Sequence, residues 1–293
     1  MIDGALLVDK PVGITSNFAL QKVKRLLEAA KAGHAGTLDP LASGLLIALF
    51  GEATKFAGLL LESDKEYLAT VKLGETTATG DAEGDLLEAR PVAASAAEVR
   101  IALQKFMGEI EQIPPMHSAL KREGVPLYKL ARRGQSVERQ PRRVRILELE
   151  SLDFNPPFLN IRVRCSKGTY VRTLAEDIGA ALGCGAHLAG LRRTASGRFR
   201  VDDAVPVAAL ETMAPPERRA RVIGLDALLV ELPRVDLDAA LAAKLRNGQS
   251  LPLQTLSEGV SAVYGPDGAL IGIGRAEDGT LRPLRLTQAA EKG

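Results

Sequence analysis

The stretch GHAGTLDPLASGLL, residues 33–46, leads from a glycine-rich loop into an apolar run of strand length. It contains one carboxylate, Asp39, directly before Pro40. Proline fixes its own φ and restricts the residue before it, so this sequence can present the Asp39 carboxylate from a restrained backbone. An aspartate before proline more commonly makes a turn bond to its own backbone. Spacing alone leaves both interpretations open.

The segments on either side of this stretch predict a strand and a helix upstream, and a strand and a loop downstream. Upstream, GALLVDKPVGITS (4–16) indicates a short apolar strand and a Pro/Gly turn, with Ser16 as the cap of a helix that reaches about Leu27. Downstream, KEYLATVKLGETTATGDAEG (65–84) predicts a strand followed by a polar loop rich in Thr and Gly. The loop that carries Asp39 is therefore expected between these two units.

The middle of the chain predicts a helix, a β pair and a second helix. Ser95 and Glu98 have the spacing of a capping box for a helix that ends near Met107. Residues 143–152 and 158–165 predict the β pair. The segment CSKGTYVRTLAEDIG (165–179) predicts a turn followed by a helix, with Arg172 in the first turn of that helix. An arginine there usually faces solvent, whereas a bidentate pair with a buried carboxylate would hold that carboxylate ionised.

The C-terminal part predicts a small β unit. A seam rich in Pro and charge lies near residues 213–233, and three short strands separated by turns follow within 259–286. Helices and antiparallel strands are mixed without a regular βαβ alternation, which favours an α+β fold.

Charge is distributed unevenly along the chain. The formal net charge is +2, yet residues 121–145 hold nine basic and two acidic side chains, a local charge of +7, which leaves −5 for the rest. Such a concentration is typical of a surface that binds a polyanion. A solvated basic face is an equally good interpretation of the charge by itself.

The sequence lacks the motifs of several common classes of enzyme and binding protein. It lacks the GxxxxGK[ST] phosphate loop, the GxGxxG turn after a strand and the GxSxG nucleophile elbow, and its three histidines are too scattered for a zinc site. The two cysteines are expected to be buried thiols. The N-terminus does not have the pattern of a signal peptide, and the longest apolar run is far shorter than the ~20 residues of a membrane span. We therefore expect a soluble, cytoplasmic protein that does not bind membranes.

Six motifs, in the same order along the chain, resemble the TruB family of bacterial tRNA pseudouridine synthases. They are LLVDKPVGITSN, GHAGTLDPLASGLL, GEATKFAGLLLESDKEYLATVKLGETTATGDAEG, QIPPMHSALKREGVPLYKLARRG, CSKGTYVRTLAEDIG and GAHLAGLRRTASGRF. One departure is His117, where the family commonly has Tyr; it puts a contact to RNA in doubt rather than catalysis.

The resemblance implies a fold and its division into domains. It implies an α+β pseudouridine-synthase fold, in which helices flank a central mixed, largely antiparallel sheet. Residues 1–230 would form the catalytic domain, with a basic RNA-gripping insertion at about 112–145. Residues 231–293 would form a small PUA-like RNA-binding domain.

The resemblance also assigns roles to individual residues. Asp39 would be the catalytic carboxylate, attacking the sugar or taking a proton from it, and Arg172 would pair with it. Tyr67 would stack on the target base and Leu191 would line the apolar side of the pocket. His34 would keep the flipped nucleotide out of its stack. Pocket support is implied for Lys10 and Pro11, and RNA binding for Lys121, Arg122, Lys129, Arg132, Arg133, Arg142 and Arg143.

The implied reaction is isomerisation of the uridine at position 55 in the tRNA T-loop. It adds and removes nothing overall, so no cofactor and no metal is expected. The partner would be the T-arm of tRNA, bound by a monomer without a guide RNA. Two other functions are possible: a non-catalytic RNA-binding or RNA-folding protein, which intact Asp39 and Arg172 disfavour, and a guide-dependent synthase, which the basic insertion disfavours.

Overall fold

The structure is a computed structural model that describes residues 2–118, 120–122, 124–131, 133–135, 137–253 and 256–288. The side chains of Lys121, Arg122, Pro126 and Tyr128 lie outside the description. The strands are β1 (Gly4–Lys10), β2 (Ala32–Ala35), β3 (Ala42–Phe50), β4 (Lys65–Leu73), β5 (Glu75–Thr77), β6 (Leu86–Ala89), β7 (Gly108–Gln112), β8 (Lys121–Arg122), β9 (Val125–Pro126), β10 (Arg142–Asn155), β11 (Phe158–Cys165), β12 (Ala186–Ser196), β13 (Phe199–Arg200), β14 (Val205–Pro206), β15 (Arg234–Asp236), β16 (Leu251–Pro252), β17 (Gly259–Tyr264), β18 (Leu270–Glu277) and β19 (Thr280–Leu286). The α-helices are α1 (Ser16–Leu26), α2 (Ala57–Leu61), α3 (Ala96–Gln104), α4 (Leu127–Ala131), α5 (Val171–Ala181), α6 (Val207–Thr212), α7 (Pro215–Ala220), α8 (Leu225–Leu229) and α9 (Ala239–Arg246).

The central sheet is mixed and largely antiparallel. Its strand order is β14-β1-β3-β12-β4-β11-β10-β7, with β13 on β12 and β2 on β3. The pairs β1–β14 and β3–β12 are parallel, and the other pairs in this sheet are antiparallel. The predicted α+β class and central sheet are confirmed.

Strand β3 is apolar along its length because both of its faces are covered. Successive side chains of a strand point to opposite faces. Leu45, Ile47 and Leu49 therefore pack in one cluster, with Leu7 of β1 and residues of the C-terminal sheet. Leu46, Ala48 and Phe50 pack on the opposite face against α1 and α6. The strand that follows the Asp39 loop is thus held rigidly from both sides.

The other half of the central sheet is covered by α5 and α3. Leu174 and Ile178 of α5 are fully buried and pack with Val71, Ile161 and Val163 of the sheet. Val99 and Leu103 of α3 join the same cluster, which gives α3 the apolar face predicted from its sequence. This packing fixes the N-terminus of α5, where Arg172 lies.

A second sheet of five strands, ordered β15-β17-β18-β19-β16, forms the C-terminal part. The three strands predicted within 259–286 are β17, β18 and β19, and the two short strands β15 and β16 flank them. Ala262, Tyr264 and Ile273 of this sheet pack in one cluster with Leu7 and Phe56. The C-terminal sheet therefore shares a core with the central sheet.

One predicted helix cap is wrong and another is confirmed. Thr15, not Ser16, caps α1, accepting a hydrogen bond from Phe18 N at 3.1 Å. Ser16 is buried and bonds instead to the backbone of Leu38, which lies in the Asp39 loop. Ser95 and Glu98 form the predicted capping box of α3. Among the described residues, no helix is long and apolar enough to cross a membrane.

The basic insertion contains the two-stranded β8–β9 ribbon and the single-turn helix α4. Leu127 anchors it, with 5% of its surface exposed, and Arg139 Nη1 donates to the Pro114 carbonyl at 3.0 Å. Arg132 lies outside the described residues, as do the side chains of Lys121 and Arg122. Lys129, Arg133, Arg142 and Arg143 are exposed.

Candidate active site

The loop between β2 and β3 is held in place along its length, and Asp39 lies at its centre. The Ser16 hydroxyl accepts from Leu38 N at 2.7 Å and donates to Leu38 O at 2.9 Å. Gly13 N donates to Pro40 O at 2.8 Å, and Ala42 N to Asp39 O at 3.0 Å. Arg193 binds the carbonyl of Gly36 at the start of the loop and that of Leu45 in β3. The Asp39 carboxylate therefore projects from a backbone with little freedom.

The predicted ion pair between Asp39 and Arg172 is present, and it is part of a larger network. Arg172 Nη2 lies 3.1 Å from Asp39 Oδ2, while its Nη1 lies 3.3 Å from Asp81 Oδ2. The guanidinium also donates to the carbonyls of Thr79 at 3.2 Å and His117 at 2.6 Å. The side chains of Arg172 and Asp81 are 6% and 4% exposed, whereas that of Asp39 is 43% exposed. Asp39 is therefore the member of this network that an incoming substrate can reach.

Burial raises the pKa of the Asp39 carboxyl, and the neighbouring Asp81 carboxylate raises it further. Arg172 and Lys10 act in the opposite direction because their positive charges favour the ionised form. Lys10 is itself buried, which lowers its pKa to about 8 even though Asp39 and Glu83 favour its charged form. Arg172 thus partly counters the effect of desolvation on the pKa of the Asp39 carboxyl.

Lys10 and Pro11 organise the turn that abuts the Asp39 loop. Lys10 Nζ donates to the carbonyls of Pro11 at 2.9 Å and Ile14 at 2.7 Å. The same turn includes Gly13, whose N–H binds the Pro40 carbonyl. The backbone position that approaches Pro40 is occupied by glycine with a φ of +83°.

Leu191 lines a groove of about 670 Å³ that runs along the sheet. Its walls are largely apolar, and a hydrogen bond of 2.7 Å between Thr70 and Asn160 adds a polar pair. Leu41 and Ser43, which follow Asp39 closely, also line it. A separate surface cavity of about 340 Å³ lies between α1 and α7 and contains none of the predicted pocket residues.

Tyr67 and His34 lie close to Arg193. Tyr67 is half-buried in β4, and its hydroxyl has a raised pKa because of burial, opposed by the charge of Arg193. His34 is half-buried in β2; burial and the charge of Arg193 lower its pKa. Among the described residues, its Nδ1 has no hydrogen-bond partner. The negative charge of Asp39 also raises the pKa of the Tyr67 hydroxyl, less than burial does.

Three residues of the site were not predicted from the sequence. Asp81 shares Arg172 with Asp39, and Arg193 binds the start of the loop and the strand β3 that follows it. Gln112 is buried and pairs with both backbone groups of Tyr170, at 3.0 and 3.2 Å, directly before α5. Gln112 thereby joins the start of the basic insertion to the helix that carries Arg172. Its place between the helix predicted to end near Met107 and Pro-rich sequence gave no signal of this.

The His117 position is closer to the site than its sequence context indicates. Its carbonyl accepts the shortest hydrogen bond of Arg172, so the backbone of the insertion contacts the partner of Asp39. Within the described ranges, no cluster of three or more His, Cys, Asp or Glu side chains could hold a metal ion.

We expect the replacement of Arg172 by Met to lower the free energy of unfolding by about 3 kcal/mol or more, because Asp81 would remain buried without its cation. Urea unfolding of the intact chain measures this. Arg162→Met is the matched control, because Arg162 pairs with Glu150 on an exposed strand face, where an ion pair is worth under about 1 kcal/mol. Equal losses for the two variants would contradict a stabilising role for the buried network.

Three family models together match most of the chain. Residues 24–171 match the TruB family pseudouridylate synthase (N terminal domain), and residues 172–235 the tRNA pseudouridylate synthase B C-terminal domain. Residues 233–287 match the model described as pseudouridine synthase II TruB, C-terminal. The chain therefore belongs to the TruB family of tRNA pseudouridine synthases. It is an isomerase that converts uridine to pseudouridine.

Curated relatives match it over nearly their whole length. A tRNA pseudouridine synthase B of Burkholderia mallei is 56% identical over 292 residues, covering 97% of each chain. One from Thiobacillus denitrificans is 54% identical over 285 residues, covering 97% of this chain and 96% of the relative. A solved Cbf5-Nop10-Gar1 complex contains a chain that is 27% identical, with a TM-score of 0.70, covering 93% of this chain and 78% of that one. A solved H/ACA RNP bound to a substrate RNA contains a chain that shares the fold, with 24% identity and a TM-score of 0.73. The match covers 98% of this chain and 86% of that one.

Proposed function

We propose that this chain isomerises the uridine at position 55 in the T-loop of tRNA, with Asp39 as its catalytic carboxylate. The observation that carries the proposal is the accessible Asp39 carboxylate, paired with the buried Arg172 at 3.1 Å beside an apolar groove. The names of the relatives support tRNA as the substrate. The choice of position 55 rests on the family resemblance of the motifs.

The residues of the site suit the bond changes of this reaction. The bond between N1 of uracil and C1′ breaks, and a bond between C5 and C1′ forms; C5 loses a proton and N1 gains one. Asp39 either attacks the sugar or takes a sugar proton. Because all atoms remain in the product, the reaction itself requires no cofactor. The detached base must be held in a shaped, dry pocket while it rotates.

The target nucleotide must first leave its stack, at a cost of a few kcal/mol. Tyr67 offers an aromatic face, and stacking on one base typically contributes about 1–3 kcal/mol. Leu191 supplies the apolar wall and His34 would hold the T-loop away from the vacated position. Phosphate contacts made by the insertion would offset the remaining cost.

The insertion also bears on which partners the chain needs. Lys129, Arg133, Arg142 and Arg143 are exposed basic groups on one continuous segment, which gives this chain its own surface for the T-arm. We therefore propose a monomer that acts in the cytoplasm without a guide RNA. Residues 1–230 would form the catalytic domain, and residues 231–293 a PUA-like domain that contacts tRNA.

We expect the triple change of Arg133, Arg142 and Arg143 to Gln to weaken tRNA binding and flatten its salt dependence. Each lost phosphate contact should reduce the slope of log K against log salt by up to about one. Binding titrations at several salt concentrations measure this. The control removes the same charge elsewhere, as Arg25→Gln, Arg219→Gln and Arg221→Gln, all exposed on or near α1 and α7. The segment is only a solvated face if both triple variants bind like the wild type.

The proposed function is tested in cells by mapping pseudouridine in total tRNA with and without this chain. Position 55 should be fully dependent on the chain, and re-expression should restore it. Loss at a different tRNA position, with position 55 unaffected, would disprove the proposed substrate site.

A further inference from the structure

Arg193 is a deeply buried cation near the site, with 1% of its surface exposed. Its Nε donates to the Leu45 carbonyl at 2.7 Å and its Nη2 to the Gly36 carbonyl at 3.0 Å. Gly36 begins the loop that carries Asp39, and Leu45 lies in β3, the strand that follows this loop. A Cβ atom at position 36 would lie 3.2 Å from Arg193 Nη1, so glycine leaves room for the guanidinium.

A buried guanidinium normally requires a compensating carboxylate. The hydrogen bonds that Arg193 makes in the described chain go instead to the carbonyls of Leu45 and Gly36. The hydrogen bonds to these two carbonyls use two of the five N–H groups of the Arg193 guanidinium. The remaining N–H groups can donate to another acceptor. The guanidinium thus has donor capacity beyond what the loop needs.

The position of Tyr67 beside Arg193 is set by the sheet. Arg193 of β12 lies directly opposite Tyr67 of β4 in an antiparallel pair. Directly opposed residues present their side chains to the same face, about 5 Å apart at Cβ. The positive charge of the Arg193 guanidinium opposes the effect of burial on the pKa of the Tyr67 hydroxyl. The register therefore holds the two groups together independently of any flexible loop.

We propose that Arg193 is a positioning residue for the isomerisation: anchored on the carbonyls of Gly36 and Leu45, it donates to the Tyr67 hydroxyl and so fixes that hydroxyl relative to Asp39. One side chain then couples the aromatic wall of the pocket to the loop that bears the catalytic carboxylate. Catalytic geometry is sensitive to displacements of about 1 Å, so such a tie affects rate more than binding. This inference rests on the proposed function and on a role of the Tyr67 hydroxyl in proton removal from C5, which the family resemblance implies.

A double-mutant cycle between Arg193→Lys and Tyr67→Phe tests the coupling. Lysine keeps the positive charge but lacks the fork that binds two carbonyls and a phenol at once. In the otherwise wild-type chain, we expect Arg193→Lys to lower kcat at least tenfold and to change KM for tRNA less than threefold. In the Tyr67→Phe background, the same change should lower kcat less than threefold, because the hydroxyl on which it acts is absent.

The cycle remains measurable even for slow variants. A kcat of about 10 s⁻¹ is typical of enzymes, and proton transfer by a side chain contributes about 10²–10⁴-fold. A variant slowed by both changes therefore still converts tRNA within hours in a single-turnover assay with excess enzyme. Arg218→Lys is the control, because Arg218 also donates to buried carbonyls, at Leu210 and Leu26, but lies in the separate cavity between α1 and α7. Thermal midpoints and tRNA binding check that each variant is folded.

The outcomes separate the inference from the function on which it rests. If Arg193→Lys lowers kcat by the same factor in the otherwise wild-type chain and in the Tyr67→Phe variant, Arg193 acts only by holding the loop in place. The inference would then be wrong. An unimpaired Arg193→Lys enzyme would overturn it as well. If Tyr67→Phe alone is unimpaired, the proposed role of the hydroxyl fails, whatever Arg193 does.

Discussion

Replacement of Asp39 by Asn is expected to abolish isomerisation, lowering kcat at least about a thousandfold, which corresponds to about 4 kcal/mol in the barrier. Asn keeps the shape of the side chain and removes the negative charge that can attack or take a proton. Binding of tRNA should change less than threefold, because phosphate contacts supply most of the affinity. Pseudouridine formation and tRNA affinity are measured with the same purified variant.

A matched control distinguishes catalysis from an ordinary turn aspartate. Asp267 lies in an exposed turn, and its carboxylate accepts a hydrogen bond from Ala269 N at 3.1 Å. Asp267→Asn can keep that bond and should leave turnover unchanged. Turnover of Asp39→Asn within tenfold of the wild type would show that Asp39, too, is only a turn residue.

Replacement of Tyr67 by Phe is expected to retain tRNA binding and to lower kcat by about 10²–10⁴-fold. The ring would still stack on the base, while the hydroxyl, which family resemblance links to proton removal from C5, is lost. Single-turnover rates and binding titrations separate the two effects. The fold-change in kcat should therefore greatly exceed that in the dissociation constant.

Tyr264→Phe provides the control for the loss of a phenol. The Tyr264 ring lies under the guanidinium of Arg234, at 3.7 Å, in the C-terminal sheet. Phenylalanine can keep that contact, so this variant should turn over like the wild type. Tyr67 serves only as a stacking surface if its Phe variant is equally active.

The local features of the fold could be predicted from the sequence. The apolar run after Asp39 has the length of a strand, and it forms β3, which the structure shows to be buried on both faces. Ser95 and Glu98 mark the start of α3, and the turns between residues 259 and 286 mark three strands. These features are short-range, because caps, turns and apolar periodicity are determined by neighbouring residues.

Long-range contacts could not be predicted in this way. Thr15 and Ser16 are both suitable caps, and only the folded chain shows that Ser16 bonds to Leu38, 22 residues away. Asp81 resembles a turn aspartate within a loop rich in Thr and Gly. Its pairing with Arg172 depends on how α5 packs on the sheet. Arg193 likewise gains its carbonyl partners from the pairing of β12 with β3.

We propose that this chain, by itself, isomerises the uridine at position 55 through Asp39. The most direct measurement is position-resolved mapping of pseudouridine in an unmodified tRNA transcript incubated with the purified protein and no other component. We expect the wild type to convert position 55 alone and Asp39→Asn to convert none. Conversion at another position, equal conversion by the variant, or conversion only after a guide RNA is added would contradict it.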